Sequence, residues 1–124
     1  MDRRDSMTNW TIYHNTRCSK SRCALVLLKE NGIEPEVVEY LKDTPSVEEL
    51  EKLVMKLGLP AEQLVRKSEA LFKEKYKGLQ LNEHEWIRVM HENPQLIERP
   101  IVVRGHKAVI GRPTENVQEL IDNK

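Results

Sequence analysis

The chain of 124 residues has no excess of charge of either sign, with 20 Lys and Arg against 20 Asp and Glu. A balanced charge gives no general attraction to nucleic acid or to an anionic membrane surface. No apolar run approaches the roughly 20 residues that a membrane-spanning helix needs. Residues 1–6 are charged and lack the apolar core of a signal peptide. We therefore expect a cytoplasmic protein whose partners include neither nucleic acid nor a membrane.

Cysteine is also scarce, since Cys18 and Cys23 are the two in the chain. Two cysteines in an intracellular protein are typical of free thiols rather than of a structural disulfide. Their spacing matches neither a thioredoxin-like dithiol nor a zinc site, so we expect no bound metal. On an ideal helix, five residues separate the α-carbons by roughly 8–9 Å, beyond the ~7 Å that a disulfide spans. Cys23 is therefore predicted to be an ordinary helical residue. A resolving thiol is the alternative, because a turn at Cys18 would relax this geometry.

Internal repeats, linkers and low-complexity segments are absent from the sequence. A chain of this length fits one compact domain with a core of its own. We predict a disordered extension over residues 1–7 and a single domain over residues 8–124.

Hydrophobic periodicity predicts the order βαβ, then several helices, then ββα. Strands over Trp10–Tyr13 and 36–40 flank a helix that begins near Ser21 and ends at a left-handed cap at Asn31–Gly32. This order implies two parallel strands joined by a right-handed crossover. The other predicted elements are helices beginning at Ser46, Pro60, Glu69 and Asn82, strands over 101–103 and 107–110, and a final helix through Leu120 and Ile121. The sequence thus predicts an α/β protein with a thioredoxin-like fold and a helical insertion in its middle.

Cys18 lies in the predicted turn between the first strand and the first helix. Backbone N–H groups at a helix N-terminus favour a thiolate over a thiol. Arg17, Lys20 and Arg22 add positive charge nearby, and His14 is within plausible reach. This setting predicts a nucleophilic cysteine with a lowered pKa. The alternative is a small buried residue in a basic turn.

Three further arginines stand at the ends of elements or in loops: Arg66, Arg99 and Arg112. Taken singly, each is consistent with an ordinary surface arginine. Gathered around one thiolate, they would form an oxyanion site, because each guanidinium offers planar, charge-assisted donors to tetrahedral oxygens. Arg99 also precedes Pro100, where thioredoxin-like folds place a cis-proline facing the active cysteine.

Four motifs together make the chain resemble the glutaredoxin-coupled arsenate reductases, from Thr8 to Asp122. They are Ile12-Tyr13-His14-Asn15 with Cys18 and Ser21-Arg22, Leu64-Val65-Arg66-Lys67, Glu98-Arg99-Pro100-Ile101-Val102-Val103 and Gly111-Arg112-Pro113. The four motifs occur in the order of that family and at spacings suitable for it.

The resemblance implies that Cys18 attacks arsenate and that His14 helps to keep it ionised. It implies that Arg66, Arg99 and Arg112 hold the oxygens of arsenate or arsenite. Supporting positions would be Asn15, Ser21, Arg22 and Pro100. Glutathione would act as co-substrate and glutaredoxin as the reducing partner, with no bound cofactor and a monomeric protein.

Two related groups provide alternatives. Spx-type regulators, which bind partners such as RNA polymerase, resemble this fold but carry a second cysteine where this chain has Ser21. General glutathione-dependent thiol reductases of the same superfamily are expected to lack the full set of arginines.

Overall fold

The computed structural model describes residues 9–122. The described chain forms two compact units, one of residues 9–43 and 99–122 and the other of Thr44–Glu98. The predicted extension over residues 1–7 lies outside the described residues, and the single domain over 8–124 stays a prediction. None of the described helices is long and apolar enough to cross a membrane.

The described elements include every predicted strand and helix in the predicted order, together with a 3-10 helix over Pro94–Leu96 that was not predicted. They are β1 (Trp10–Tyr13), α1 (Ser19–Glu30), β2 (Glu36–Val38), α2 (Val47–Leu57), a 3-10 turn (Ala61–Leu64), α3 (Ala70–Lys75), α4 (Glu83–Glu92), a second 3-10 turn (Pro94–Leu96), β3 (Ile101–Arg104), β4 (Lys107–Ile110) and α5 (Glu115–Asp122).

The first unit contains a four-stranded sheet in the order β2-β1-β3-β4. Strand β1 pairs with β2 in parallel and with β3 antiparallel, and β3 and β4 form an antiparallel hairpin. Ile12 and Val102 face each other in the central strands and are fully buried, and their core includes Leu28 of α1 and Val117 of α5. This topology confirms the predicted thioredoxin-like α/β fold, with the helical insertion between β2 and β3.

The second unit is helical, and local capping defines its ends. The Ser46 hydroxyl accepts a hydrogen bond from the Glu49 N–H at the start of α2, and Gly58 ends that helix with a φ of 67°. Asn82 and Glu85 form a reciprocal capping box at the start of α4. These caps agree with the sequence pattern because each involves residues close together in the chain.

Several predicted boundaries were wrong. Helix α1 begins at Ser19 rather than near Ser21, so that Cys18 becomes its N-cap. Strand β2 ends at Val38 rather than at residue 40, because the chain turns at Glu39, whose carbonyl accepts the Lys42 and Asp43 N–H groups. Helix α3 spans only Ala70–Lys75 of the predicted residues 69–77.

Candidate functional site

Cys18 caps the N-terminus of α1. Its backbone is extended, with φ −97° and ψ 121°, and its carbonyl accepts the Arg22 N–H at 3.0 Å. The residue is only 8% exposed. The first N–H groups of α1 therefore lie beside the thiol, at the helix start that the sequence predicted; the burial of Cys18 was part of the alternative prediction.

Two guanidiniums from the far end of the chain also contact this thiol. Arg112 Nη2 donates a hydrogen bond to Cys18 Sγ at 3.4 Å, and Arg112 Nε donates to the Arg99 carbonyl at 2.7 Å. The Arg99 side chain donates a hydrogen bond to Cys18 as well. The fold thus brings together Cys18, Arg99 and Arg112, three of the predicted site residues.

Opposing effects set the protonation of Cys18. Burial raises the pKa of the thiol, but hydrogen bonds from the Ser21 N–H, the Arg99 guanidinium and the Lys20 N–H outweigh this effect. The pKa of Cys18 consequently lies below its ordinary value. A lowered pKa increases the fraction of thiolate, the nucleophilic form, near neutral pH.

His14 is buried and contacts Ser21 rather than the Cys18 sulfur. Its Nδ1 lies 2.6 Å from Ser21 Oγ, which also accepts the Asn15 N–H at 3.0 Å. Burial is the main cause that lowers the pKa of His14; Glu39 opposes the effect and Arg22 adds to it. In a neutral His14 ring, Nδ1 can accept a hydrogen bond from the Ser21 hydroxyl. In the described hydrogen bonds, His14 is connected to Cys18 through Ser21, whose N–H donates to the thiol.

The other supporting positions hold the loop between β1 and α1. The Asn15 carbonyl accepts the Cys18 N–H at 3.0 Å, and Asn15 Oδ1 accepts the Arg17 N–H at 3.0 Å. Arg22 Nη1 donates to the Thr16 carbonyl at 2.8 Å. The Arg22 guanidinium thus binds the loop backbone and stabilises the segment that leads to Cys18.

Pro100 orders the segment that carries Arg99. The Arg99–Pro100 peptide bond is cis, as expected at this place in the fold. The Pro100 carbonyl accepts the Gly111 N–H at 2.8 Å. A β-carbon built on Gly111 would lie 2.8 Å from Pro100 Cγ and 3.1 Å from Val117 Cγ2. A glycine is therefore needed at position 111 for this close packing. From the sequence, Gly111 was noted only as part of a motif.

Arg66 belongs to the second unit, where two carboxylates bind its guanidinium. Its Nε lies 3.1 Å from Glu69 Oε2, and its Nη1 lies 3.5 Å from Glu98 Oε1. Its backbone N–H donates to the Leu96 carbonyl at 2.6 Å. The role of Arg66 toward a substrate stays a prediction. Neither carboxylate was predicted from the sequence as a site residue, although Glu98 directly precedes Arg99 in one of the motifs.

Cys23 is exposed on α1, and both cysteines are free thiols. Within residues 9–122, no group of three or more His, Cys, Asp or Glu side chains is placed to hold a metal ion. The described groups at this site are the Cys18 thiol and the cationic and N–H donors around it.

Comparison with known proteins gives a consistent family. Residues 13–120 match the profile of the ArsC family. The chain is 51% identical over 112 residues to the uncharacterized protein YfgD of Escherichia coli strain K12, covering 89% of this chain and 94% of that protein. It is 45% identical over 114 residues to the arsenate reductase of Neisseria meningitidis serogroup B, covering 89% and 96%.

Solved structures agree with the sequence relatives. An arsenate reductase from Vibrio cholerae superposes with a TM-score of 0.87 at 47% sequence identity, covering 92% of this chain and 98% of that chain. A related ArsC-family protein from Bacteroides fragilis superposes with a TM-score of 0.77 at 26% identity, covering 90% and 98%.

Proposed function

This chain belongs to the ArsC family, and from that membership we propose that it is an arsenate reductase. The observation that carries the proposal is the buried Cys18 thiol, which receives hydrogen bonds from Arg112, Arg99 and the start of α1. Arsenate is a tetrahedral oxyanion, and guanidinium and N–H donors bind such oxygens. The donors that stabilise the thiolate are therefore also suited to hold the oxyanion that it attacks.

The first chemical step is nucleophilic attack by Cys18. Its sulfur forms a bond to arsenic(V) while one arsenic–oxygen bond breaks and the oxygen leaves as water. Arg99 and Arg112 bind the remaining oxygens, and Arg66 is the third arginine of the proposed set. Because these donors neutralise negative charge on arsenate, they reduce its repulsion of the thiolate.

Electrons come from two external thiols. Glutathione displaces a second oxygen as water, giving arsenic(V) bonded to Cys18 and to glutathione. A glutaredoxin thiolate then attacks the glutathione sulfur, forming a mixed disulfide and leaving two electrons on arsenic. Water releases arsenite and regenerates the Cys18 thiol. The sum consumes one arsenate and two thiols and yields one arsenite, one disulfide and one water.

A coupled assay tests this function. Arsenate-dependent NADPH oxidation is followed with glutathione, glutathione reductase and glutaredoxin, using the wild type and Cys18→Ser. We expect turnover with the wild type and none with the variant, and loss of turnover when glutaredoxin is omitted. A wild type that reduces a mixed disulfide but not arsenate would instead be a general thiol reductase. A wild type without either activity that retains RNA polymerase on a column would be an Spx-type adaptor.

A further inference from the structure

Asn116 lies in the first turn of α5 and bridges the chain on both sides of Gly111. Its side-chain Nδ2 donates to the Ile110 carbonyl at 3.0 Å and to the Arg112 carbonyl at 3.2 Å. Ile110 is the last residue of β4. One amide group thus ties the turn that carries Arg112 to the end of the sheet.

The conformation of this turn depends on contacts with neighbouring residues, because Gly111 has no side chain that could restrict it and glycine has the widest choice of backbone conformations. A shift of the Arg112 backbone would move its whole side chain. Arg112 makes two directed contacts, from Nε to the Arg99 carbonyl at 2.7 Å and from Nη2 to Cys18 Sγ at 3.4 Å. A planar guanidinium makes both contacts only from a narrow range of positions.

We propose that Asn116 is a positioning residue that holds Arg112 against the Cys18 thiol, and thereby against the oxyanion substrate. Asn116 does not act on the thiol itself; it acts through the backbone of Arg112. The substrate part of the proposal rests on the proposed arsenate reductase function. The thiol part rests on the contact between Arg112 and Cys18 itself.

The test measures how fast iodoacetamide alkylates Cys18 at different pH values, with Cys18 and Cys23 resolved by mass spectrometry. We expect Asn116→Ala to slow alkylation of Cys18 at pH 7 roughly two- to ten-fold, since a displaced Arg112 stabilises the thiolate less. Asn116→Asp keeps the size of the side chain but replaces the donor with a carboxylate. It should slow the reaction at least as much. Gln118→Ala is the matched control, because the Gln118 amide bonds only to Asp122 on the same helix in the described hydrogen bonds.

A double-mutant cycle separates positioning from a general loss of structure. If Asn116 acts through Arg112, adding Asn116→Ala to Arg112→Ala should cause no further change in the rate. An equal slowing in both backgrounds would overturn the proposal, as would wild-type alkylation in Asn116→Asp. Circular dichroism and urea unfolding give the folded fraction of each variant. Only the alkylation rates of the folded proteins are compared.

Arsenate kinetics complete the test. The Asn116 variants should raise the KM for arsenate with a smaller change in kcat, while Gln118→Ala leaves both unchanged. If the wild type fails to reduce arsenate, the proposed function fails. The alkylation cycle would still decide whether Asn116 positions Arg112.

Discussion

At the scale of single residues, the reactivity of Cys18 depends on donors of two kinds. Burial alone would favour the neutral thiol, yet the pKa is lowered because backbone N–H groups and Arg99 donate to the sulfur. Arg112 adds a further guanidinium donor at 3.4 Å. The same residues can bind an oxyanion, so nucleophile activation and substrate binding depend on shared groups.

Replacing Arg99 or Arg112 with lysine should weaken arsenate turnover without unfolding the protein. A lysine keeps the charge but cannot reproduce the planar, two-pronged donor of a guanidinium. Loss of one charge-assisted contact costs about 1.5–3 kcal/mol, so kcat/KM for arsenate should fall roughly ten- to a hundred-fold.

The coupled reductase assay measures the effect, and Arg88→Lys on α4 is the control. Arg66→Lys tests the third predicted arginine in the same way. Wild-type arsenate kinetics in both the Arg99 and Arg112 variants would refute the proposed oxyanion site.

Cys23→Ser should retain most of the arsenate reductase activity. Cys23 is an exposed thiol on α1, whereas Cys18 is the buried N-cap of that helix, and both are free thiols. External glutathione should therefore do the work of a resolving cysteine. Steady-state kinetics of the variant measure this. Lost turnover, together with a Cys18–Cys23 disulfide trapped after exposure of the wild type to arsenate, would establish an internal resolving thiol instead.

At the scale of elements, the connection from β4 to α5 packs directly on the start of β3. The Gly111 N–H donates a hydrogen bond to the Pro100 carbonyl. The Pro100 ring packs where a side chain on Gly111 would otherwise lie. Arg112 follows at once and bonds to the Arg99 carbonyl. The two segments that carry Arg99 and Arg112 are therefore packed directly against each other.

Gly111→Ala should disturb this packing. The added methyl group would meet Pro100 Cγ at 2.8 Å and Val117 Cγ2 at 3.1 Å, so one segment must shift. Overpacking of this kind costs about 1–3 kcal/mol in the free energy of unfolding. Urea unfolding measures that loss, and we expect slower alkylation of Cys18 because Arg99 and Arg112 move with their segments.

Gly58→Ala is the control for Gly111→Ala. Gly58 ends α2 in the second unit, with a φ of 67° and open space where a β-carbon would stand. Alanine there should lower the free energy of unfolding by about 1 kcal/mol through backbone strain. It should leave Cys18 alkylation unchanged. Equal alkylation in the two variants would contradict the proposed coupling between Gly111 and the site.

At the scale of the whole molecule, the buried His14 links stability to pH. Its pKa is lowered on folding, so the unfolded chain binds a proton more readily than the folded one. The stability that depends on the neutral ring is complete above the unfolded pKa of about 6.5. It is lost as pH falls through the lower folded pKa.

His14→Asn should remove this part of the pH dependence. The free energy of unfolding, measured with urea between pH 7.5 and pH 5, should fall more steeply for the wild type than for the variant. His106→Asn, which changes an exposed histidine in the turn after β3, is the control and should retain the wild-type slope. Parallel slopes for the wild type and His14→Asn would show that His14 is not the group responsible.

The sequence by itself determined the order of the predicted strands and helices and the place of Cys18 at the start of the first helix. Caps such as Ser46 and Asn82 were predictable because their partners lie three residues away. The position of Cys18 at a helix start was likewise a local signal. The predicted end of β2 was wrong because a turn at Glu39, rather than the apolar pattern, stops the strand.

Only the tertiary structure decided which cations act on the thiol. Arg17 and Arg22 are near Cys18 in the chain, but Arg17 is exposed and Arg22 binds the carbonyl of Thr16. Arg112, 94 positions away, places its guanidinium 3.4 Å from the sulfur, and the Arg99 side chain also donates to it. Side chains next to a helix start diverge from one another, whereas strand pairing places the end of β4 at the same edge of the sheet as the end of β1, with the start of β3 between them. A contact of that kind depends on the register of the whole sheet, which no local pattern encodes.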